Sequence, residues 1–392
     1  MTTTLLLNGT IVASSLKREG YALLIDDEGK IGEIFPMEHL PYKSFPSTTR
    51  QIDVKGGYIA PGFIDTHLHG IGGYGTEDHE SASILGMSER LADFGVTAFF
   101  PTIYTDTRSN MIAATRAVAT AIGQEKGAKI LGIHLEGPFL SHEKAGAQNP
   151  EGIVPVDIAL FDQLLEAGKG HVVAMTVAPE IDKMDQLALH AHNKGVTLLA
   201  GHSDATYEEA LEGMGLGILH TTHCFNGMRT IHHRNIGLAG AVLLEKEMHC
   251  EIIADGVHVS PAMVRLLLKN KEPSKVVLIT DSLKPTALTE GPFIINGEEA
   301  ILGANNAFYM AKKPDLMMGS SLTMLQGVKN LVSWGVSIED AVTMGSATPA
   351  KVYNLAEIGR LSPGYMGDIA VFDQEFNLKG TFVNGQLIRD NF

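Results

Sequence analysis

Seven histidines and carboxylates stand at or just after the ends of apolar runs that are scattered along the chain. His67 and His69 are two residues apart in FIDTHLHG, so on a strand both side chains would point to one face and could reach one ion. Imidazole and carboxylate ligands without thiolate are typical of zinc, iron(II), manganese or cobalt sites. Brought together, the seven residues predict a site for one or two divalent ions. They are His67, His69, Glu136, His202, His223, His258 and Asp281.

Taken singly, each of these residues also has a structural interpretation. A His-x-His pair is a weak motif, His202 and His223 could be core histidines with satisfied hydrogen bonds, and Asp281 could cap a helix. His134, two residues before Glu136, is better explained as a core histidine of a lower layer than as a ligand. Burying all these polar groups unpaired would be costly, so their joint position at strand ends favours the metal site.

The predicted site requires a fold that gathers distant strand ends at one place. Eight apolar runs alternate with amphipathic segments such as RSNMIAATRAVATAIGQ, and strands that are apolar almost throughout are typical of a parallel sheet. We therefore predict an α/β fold, a TIM-like (β/α)8 barrel over residues 57–356, with the site at the carboxyl ends of its strands. The predicted strands are 58–69, 96–102, 130–136, 171–179, 196–202, 219–226, 250–258 and 276–281.

The two ends of the chain have a different pattern. Residues 1–56 and 357–392 contain short alternating apolar runs with turn signals such as Asn8-Gly9 and Asn384-Gly385. We predict that both segments combine into one small β-sandwich domain beside the barrel.

Charge and cysteine content exclude several classes of partner. The formal net charge of the 392-residue chain is -15, which disfavours nucleic acid and anionic membranes as partners. Its apolar runs are too short to span a membrane, and its N-terminus lacks a basic start and a cleavage site. Cys224 and Cys250, the only cysteines, indicate no disulfide framework. We predict a cytoplasmic location.

Eight motifs in a fixed order carry a resemblance to a known family. They are PGFIDTHLHG, HLEGPF, TVAPE, AGHSDATYEEA, THCFNGM, ADGVHVS, LITDS and GSSLTM. In this order they resemble the amidohydrolase superfamily, and within it the family of N-acetylglucosamine-6-phosphate deacetylases. The resemblance implies a metal-dependent hydrolase barrel that converts N-acetyl-D-glucosamine 6-phosphate into D-glucosamine 6-phosphate and acetate.

The same resemblance implies metal and catalytic roles for particular residues. Glu136, His202 and His223 would hold the main ion, and Asp281 would be the catalytic acid and base. Family members that keep a His-x-His pair, here His67 and His69, can hold a second ion.

Substrate-binding roles are also implied by the resemblance. His258 would contact substrate, Asn226 and Gly227 would meet the sugar phosphate, and Gln148 would contact the carbonyl where some members have histidine. Arg234 would reach the phosphate of a neighbouring subunit, which implies a homodimer.

The chain departs from the family pattern in two loops, which leaves alternatives open. Family members often read Arg-Glu-Pro-Gly where this chain has Arg234-Asn235-Ile236-Gly237, so N-acetylgalactosamine 6-phosphate is an alternative substrate. In SLKPTAL, Lys284 is better explained as facing solvent than as touching substrate. From another functional class, a non-catalytic sugar-phosphate-binding regulator is possible, but it would be expected to have lost Asp281 or a ligand. A hydantoinase-like activity is disfavoured because strand four, HVVAMTVAPE, lacks the bridging lysine.

Overall fold

The computed structural model describes residues 3–14, 16–289 and 293–392. Outside this part lie residues 1–2 of the predicted N-terminal segment, Ser15 and residues 290–292. The strands in chain order are β1 Thr4–Ala13, β2 Leu16–Ile25, β3 Ile31–Pro36, β4 Arg50–Asp53, β5 Tyr58–Pro61, β6 Phe63–Leu68, β7 Gly70–Ile71, β8 Tyr74–Gly75, β9 Val96–Ile103, β10 Lys129–Ile130, β11 Ile133–Glu136, β12 Val172–Val177, β13 Thr197–Ala200, β14 His220–Thr221, β15 His249–Ile253, β16 Val276–Ile279, β17 Phe293–Ile295, β18 Glu298–Leu302, β19 Ala307–Met310, β20 Lys313–Ser320, β21 Ile369–Phe372, β22 Leu378–Val383 and β23 Gln386–Asp390.

The α-helices fall mainly between the strands of one sheet. They are α1 Ser81–Leu91, α2 Arg108–Ala121, α3 Ile158–Ala167, α4 Met184–Lys194, α5 Tyr207–Gly215, α6 Gly237–Leu244, α7 Pro261–Asn270, α8 Met324–Ser333, α9 Ile338–Met344 and α10 Ala347–Val352. Several of their starts are capped by side chains: Thr206 and Glu209 form a capping box on α5, and Ser260 caps α7 just before Pro261. None of the helices in the described residues is long and apolar enough to cross a membrane.

Eight parallel strands form a nearly closed barrel, which confirms the predicted fold class. β6 pairs with β9, and β11 to β16 follow β9 in chain order. β10 and β11 are two parts of the third strand, because both pair with β9. The barrel closes between its last strand, β16, and its first, β6. Just after the end of β16, Asp281 N donates to His67 O at 2.9 Å. One helix, α1 to α7, follows each strand in turn, and α8 follows the eighth after an inserted sheet.

The first predicted strand, 58–69, is divided between two sheets. β5 pairs with β1 and β21 in the terminal sheet, whereas β6 enters the barrel beside β9. Gly62 lies between them, and a Cβ there would meet the side chain of Thr97 at 2.2 Å. The apolar run 58–69 therefore belongs to two sheets, and its apolar pattern did not indicate the boundary between them.

Strands from both ends of the chain share one mixed sheet. β3, β2 and β1 continue through β5 to β21, β22 and β23, and β4 pairs with the first half of β1. The two parts of the predicted sandwich meet at β1, whose first half pairs with β4 and whose second half pairs with β5. The change of partner falls close to the irregular pairing at Gly9. Its core is aliphatic and aromatic, with Leu6, Leu23, Ile59, Ile369 and Phe382 fully buried. Each such side chain contributes about 1.5–3 kcal/mol by leaving water.

A four-stranded antiparallel sheet is inserted between β16 and α8. β17, β18, β19 and β20 follow one another as hairpins. The last strand returns to the barrel, where Ser320 N donates to Asp281 O at 2.7 Å. This insert supplies one wall of the site described next.

Candidate active site

Ten of the eleven residues predicted to act in catalysis or binding lie at the carboxyl-terminal mouth of the barrel. Nine of them line a cavity of about 270 Å³ together with Tyr104 and residues 315–319 of the inserted sheet. His67 lies beneath the cavity on β6 and is fully buried. Arg234 is the exception, because it lies in an exposed loop between β14 and α6. The nine cavity residues are His69, Glu136, Gln148, His202, His223, Asn226, Gly227, His258 and Asp281.

Glu136, His202 and His223 form the first cluster of ligand-type atoms. Glu136 Oε1 lies 3.1 Å from His202 Nε2 and 3.0 Å from His223 Nε2, and the two Nε2 atoms lie 3.1 Å apart. Two ligands held tetrahedrally by zinc at about 2.0–2.1 Å would lie about 3.3 Å apart. The spacing therefore fits three ligands around one ion.

His67, His69 and Asp281 form a second cluster beside the first. Asp281 Oδ1 lies 3.4 Å from His69 Nε2 and 3.6 Å from His67 Nε2. Glu136 links the clusters, because its Oε1 lies 3.5 Å from His67 Nε2 and its Oε2 lies 3.2 Å from His69 Nε2. A second ion would thus share the Glu136 carboxylate with the first.

The second nitrogen of several histidines fixes the orientation of the ring. His69 Nδ1 lies 3.1 Å from Thr102 O, and His202 Nδ1 lies 2.8 Å from Lys144 O. Only an N–H can bond to a carbonyl, so in the neutral ring that a cation binds each Nε2 has its lone pair toward the cluster. His67 Nε2 is buried and has no hydrogen-bond partner within the described residues, as expected for a ligand atom. The donor set therefore fits divalent metal.

Both carboxylates at the mouth are held in the ionised form. Burial raises the pKa of Glu136, but His67, His202 and His223 lower it well below its usual value. Burial likewise raises the pKa of Asp281, yet the hydrogen bond with His69 and the charges of His67 and His69 lower it overall. Glu136 can therefore bind a cation, and Asp281 can accept a proton.

Left-handed backbone places three of the site residues. φ is +46° at His202, +27° at His223 and +50° at Asp281. Each follows the end of its strand by two residues, where the chain turns sharply over the barrel. Such conformations cost about 1–3 kcal/mol each for residues with a side chain and are concentrated at functional sites.

Gln148 binds protein groups with both ends of its amide. Its Nε2 donates to Glu136 Oε2 at 2.5 Å, and its Oε1 accepts from Thr105 N at 2.8 Å. Gln148 thus holds the Glu136 carboxylate in place while lining the cavity.

Asn226, Gly227 and His258 lie on the other side of the cavity. Asn226 Nδ2 donates to His223 O at 3.2 Å, and a Cβ at Gly227 would approach His202 Nδ1 to 3.1 Å, so a small residue is needed there. His258 is held by Asp255, with Nδ1 2.6 Å from Asp255 Oδ2. Burial lowers the pKa of His258, but this hydrogen bond and the charge of Asp255 raise it overall. Asp255 at Nδ1 and Met318 O, 3.1 Å from Nε2, together fix the His258 ring at the cavity wall.

Lys284 does not simply face solvent, so that prediction needs correction. Its ammonium forms a close ion pair with Asp78 in the segment after β8, and the lysine side chain is about one-third exposed. The pair ties the loop after β16 to the loop after β6.

Three neighbours of the site were not identified from the sequence. Tyr104 stacks on His69 with ring centroids 3.7 Å apart, Asp255 holds His258, and Glu251 lies behind His67. Glu251 had a signal in the sequence, since it is a lone charge inside the apolar run HCEII. Tyr104 and Asp255 follow their strands as ordinary loop residues.

Comparisons with known proteins identify the family of the chain. Residues 58–388 match the model of the amidohydrolase family. The chain is 32% identical to an N-acetylglucosamine-6-phosphate deacetylase of Vibrio furnissii, over 85% of this chain and 83% of that protein. It is 30% identical to an N-acetylgalactosamine-6-phosphate deacetylase of Escherichia coli O157:H7, over 84% and 87%. The crystal structure of N-acetylglucosamine-6-phosphate deacetylase from Pasteurella multocida superposes with a TM-score of 0.90 at 29% identity, covering 98% of this chain and 99% of that one. The chain therefore belongs to the amidohydrolase family, in the group that contains the N-acetylglucosamine-6-phosphate deacetylases.

Proposed function

We propose that the chain hydrolyses the acetamide of N-acetyl-D-glucosamine 6-phosphate, releasing acetate and D-glucosamine 6-phosphate. The observation that carries this proposal is the convergence of Glu136, His202 and His223 beside the Asp281 carboxylate at the barrel mouth. An amide is a poor electrophile and water a poor nucleophile, and this arrangement suits the activation of both.

Amidohydrolases are metal-dependent, and the two clusters are the places for the ions. Glu136, His202 and His223 would hold the main ion, and His67 and His69 with Asp281 would hold a second. When bound, a divalent ion polarises the amide carbonyl and lowers the pKa of water to about 7. Zinc, iron(II), manganese and cobalt all suit these ligands.

Asp281 moves the proton in this scheme. Its ionised carboxylate accepts a proton from the attacking water and returns it to the sugar nitrogen as the C–N bond breaks, acting first as base and then as acid. Gln148 keeps Glu136 in place and faces the acetyl group, where its amide helps to orient the carbonyl.

The substrate is oriented by contacts with its sugar and phosphate. Asn226 and Gly227 contact the sugar phosphate, and His258 contacts the substrate through its ring, since its Nδ1 is held by Asp255 and its Nε2 lies 3.1 Å from Met318 O. Arg234 offers a planar guanidinium suited to phosphate, and its exposed position between β14 and α6 allows it to reach the site of a neighbouring subunit. The chain is accordingly a homodimer in this proposal. Its cytoplasmic location stays a prediction from the sequence.

Deacetylation of N-acetylgalactosamine 6-phosphate is the second candidate. It is supported by the 30% identity with the Escherichia coli relative and by Asn235-Ile236, which replace the family's usual Glu-Pro beside Arg234. The two substrates differ at one hydroxyl, so the loop next to Arg234 is a natural place for discrimination. A non-catalytic regulator is not supported, because every acid, base and ligand residue is present.

Acetate release from both 6-phosphates, with and without a chelator, tests the proposal. We expect turnover of N-acetyl-D-glucosamine 6-phosphate that the chelator abolishes and that added divalent metal restores. Faster turnover of the galactosamine epimer would favour the second candidate. Binding of both sugars without acetate release by metal-replete protein would contradict the enzymatic function.

Mixing two inactive variants tests the role of Arg234. If Arg234 serves the neighbouring site, heterodimers of Arg234→Ala and Asp281→Asn subunits each contain one complete site. Random exchange should then restore about a quarter of the wild-type activity, since half of the dimers are mixed and half of their sites are complete. No recovery in demonstrably mixed dimers would contradict the contribution across the interface.

A further inference from the structure

Glu251 is a fully buried carboxylate behind the candidate active site. It lies on β15 between Cys250 and Ile252, both also fully buried, and its own exposed fraction is 0%. Its Oε2 lies 2.9 Å from His67 Nδ1 and accepts from the backbone N–H of His223 at 3.2 Å. A charge in this position is costly unless it is paired and hydrogen-bonded, so the contact with His67 requires an explanation.

The contact with Glu251 decides which nitrogen of His67 can bind a cation. An imidazole that ligates an ion through Nε2 carries its proton on Nδ1, and that proton needs an acceptor. His69 and His202 use the carbonyl oxygens of Thr102 and Lys144 for this purpose. His67 instead has a carboxylate, which holds the ring more firmly and makes it a more basic ligand.

Glu251 also connects the two ligand clusters mechanically. The same oxygen holds His67 of the second cluster and the backbone of His223 in the first. The ligands His67 and His223 come from β6 and from the loop after β14, which are not neighbours in the barrel. One side chain therefore sets the position of one cluster relative to the other.

The balance of charge points to a second cation. Glu136, Asp281 and Glu251 each have a carboxylate oxygen within 4 Å of a ring nitrogen of His67. With neutral imidazoles, one divalent cation would leave a net charge of about -1 there, and two would leave about +1. Without Glu251 the same counts would be about 0 and about +2, so this carboxylate lowers the electrostatic cost of holding a second ion.

We propose that Glu251 is a positioning residue for the second ion: it holds the Nδ1 proton of His67 so that Nε2 faces the His69 and Asp281 side chains. The inference rests on the metal-dependent function proposed above. It predicts that Glu251 contributes more to the affinity for the second ion, whose ligand ring it holds, than to that for the first, where it contacts only the backbone of His223.

His134 does not compete for this role, although it lies beside His67 and Glu251. Its Nε2 lies 2.9 Å from Thr176 Oγ1, and its Nδ1 lies 3.3 Å from Thr66 O. Both nitrogens are thus used by the barrel wall. Burial lowers the pKa of His134 well below its usual value, so it is a neutral core residue.

Metal titration of Glu251 variants tests the proposal. Apo protein would be titrated with zinc or cobalt(II) in calorimetry, and bound metal would be counted after equilibrium dialysis at fixed free-metal concentrations. We expect two ions per wild-type chain. In Glu251→Ala the second should bind about 10–100-fold more weakly, the loss typical for removal of an outer-sphere partner. Glu251→Gln should lose less, because its amide oxygen can still accept from His67.

A rescue measurement separates positioning from a general structural defect. Raising free metal should restore the second ion in Glu251→Ala, whereas a misfolded site would not recover. Asp368→Asn is the matched control, since it removes a buried carboxylate that accepts from Asn384 N and pairs with Lys129 away from the site. That variant should keep both metal affinities even if its melting temperature falls.

Several results would overturn the proposal. They are wild-type protein that saturates with one ion, Glu251 variants that bind the second ion with unchanged affinity, and variants that lose both ions equally. If Glu251→Ala does not fold, Glu251→Gln decides by the same criteria. None of these measurements requires turnover, so a protein that binds two ions in the predicted way but releases no acetate would refute the proposed function and leave this inference intact.

Discussion

The histidines at the mouth of the barrel differ from those deeper inside it, although both groups are buried. At the mouth, His202 and His223 turn their Nε2 atoms toward one carboxylate oxygen, 3.1 and 3.0 Å away. In the deeper layer, both nitrogens of His134 form hydrogen bonds with threonines, namely the carbonyl of Thr66 and the hydroxyl of Thr176. His220, on β14, has no hydrogen-bond partner for either nitrogen within the described residues and stacks on His249. Burial alone therefore does not identify a ligand.

The difference lies in what each ring nitrogen faces. The ligand histidines direct Nε2 at a carboxylate or another imidazole, and His67, His69 and His202 also have Nδ1 fixed by an acceptor. His223 Nδ1 has no partner within the described residues. A core histidine has both nitrogens satisfied locally or neither, and stays neutral. The following predictions test this distinction.

Replacement of Asp281 should have the largest effect. Asp281→Asn removes the proton acceptor while keeping the size of the side chain, so kcat should fall by about 10²–10⁴-fold. The main ion should remain, because Glu136, His202 and His223 are unchanged. Acetate release and metal content together check this, and undiminished turnover would refute the role of Asp281.

His223→Gln and His134→Gln form a matched pair across the two layers. His223→Gln should weaken binding of the main ion by about 100-fold or more, because a direct ligand is lost. His134→Gln should keep the metal and instead lower the free energy of unfolding by about 1–3 kcal/mol, since Thr66 and Thr176 lose a partner. Equal loss of metal in both variants would show that ligand and core histidines do not differ in the proposed way.

His220 should make the protein sensitive to acid. Burial, followed by the charge of His249, lowers the pKa of His220 to about 3. Between its unfolded pKa of about 6.5 and pH 3, the unfolded state binds a proton that the folded state does not. Stability is therefore complete above pH 6.5 and falls as the pH drops. In His220→Leu, the stability lost between pH 7.5 and pH 5 should shrink by about 2 kcal/mol.

Urea unfolding of wild type and His220→Leu at both pH values, at one fixed metal concentration, checks this difference. Groups common to the two proteins, including His249 and the metal ligands, cancel in the comparison. An identical pH dependence for both proteins would mean that His220 is not buried as a neutral residue.

Lys284→Met should have the smallest effect. Its ion pair with Asp78 is partly exposed, and such pairs contribute less than about 1 kcal/mol. Stability should change by that amount or less, and KM should stay within about twofold, because Lys284 does not line the cavity. A large rise in KM would restore the possibility that Lys284 touches substrate.

The barrel was predictable because its strands are apolar and end in polar residues. All eight predicted runs contain a barrel strand, including the sixth, where only His220–Thr221 has strand geometry. The inserted sheet was missed, although Asn296-Gly297, with φ of +46° and +81°, forms the turn between β17 and β18. That dipeptide is a strong hairpin signal. The strand change at Gly62 could not be predicted, because it depends on contact with Thr97.

The mouth of the site was predictable to the extent that its residues end strands. Residues that orient the site side chains could not be predicted. Tyr104, which stacks on His69, and Asp255, which holds His258, follow no pattern in the sequence. Gln148 was expected to face the substrate carbonyl. Its bonds to Glu136 and Thr105 depend on a loop conformation that the sequence does not specify.

The sheet shared by both ends of the chain sets an order of events during synthesis. β5 cannot pair with β21 until about 300 further residues have been translated, which takes about 15–60 s at 5–20 residues per second. Until then β5 presents an unpaired edge, the kind of surface on which nascent chains associate wrongly. The last strands to leave the ribosome therefore complete a sheet begun by the first.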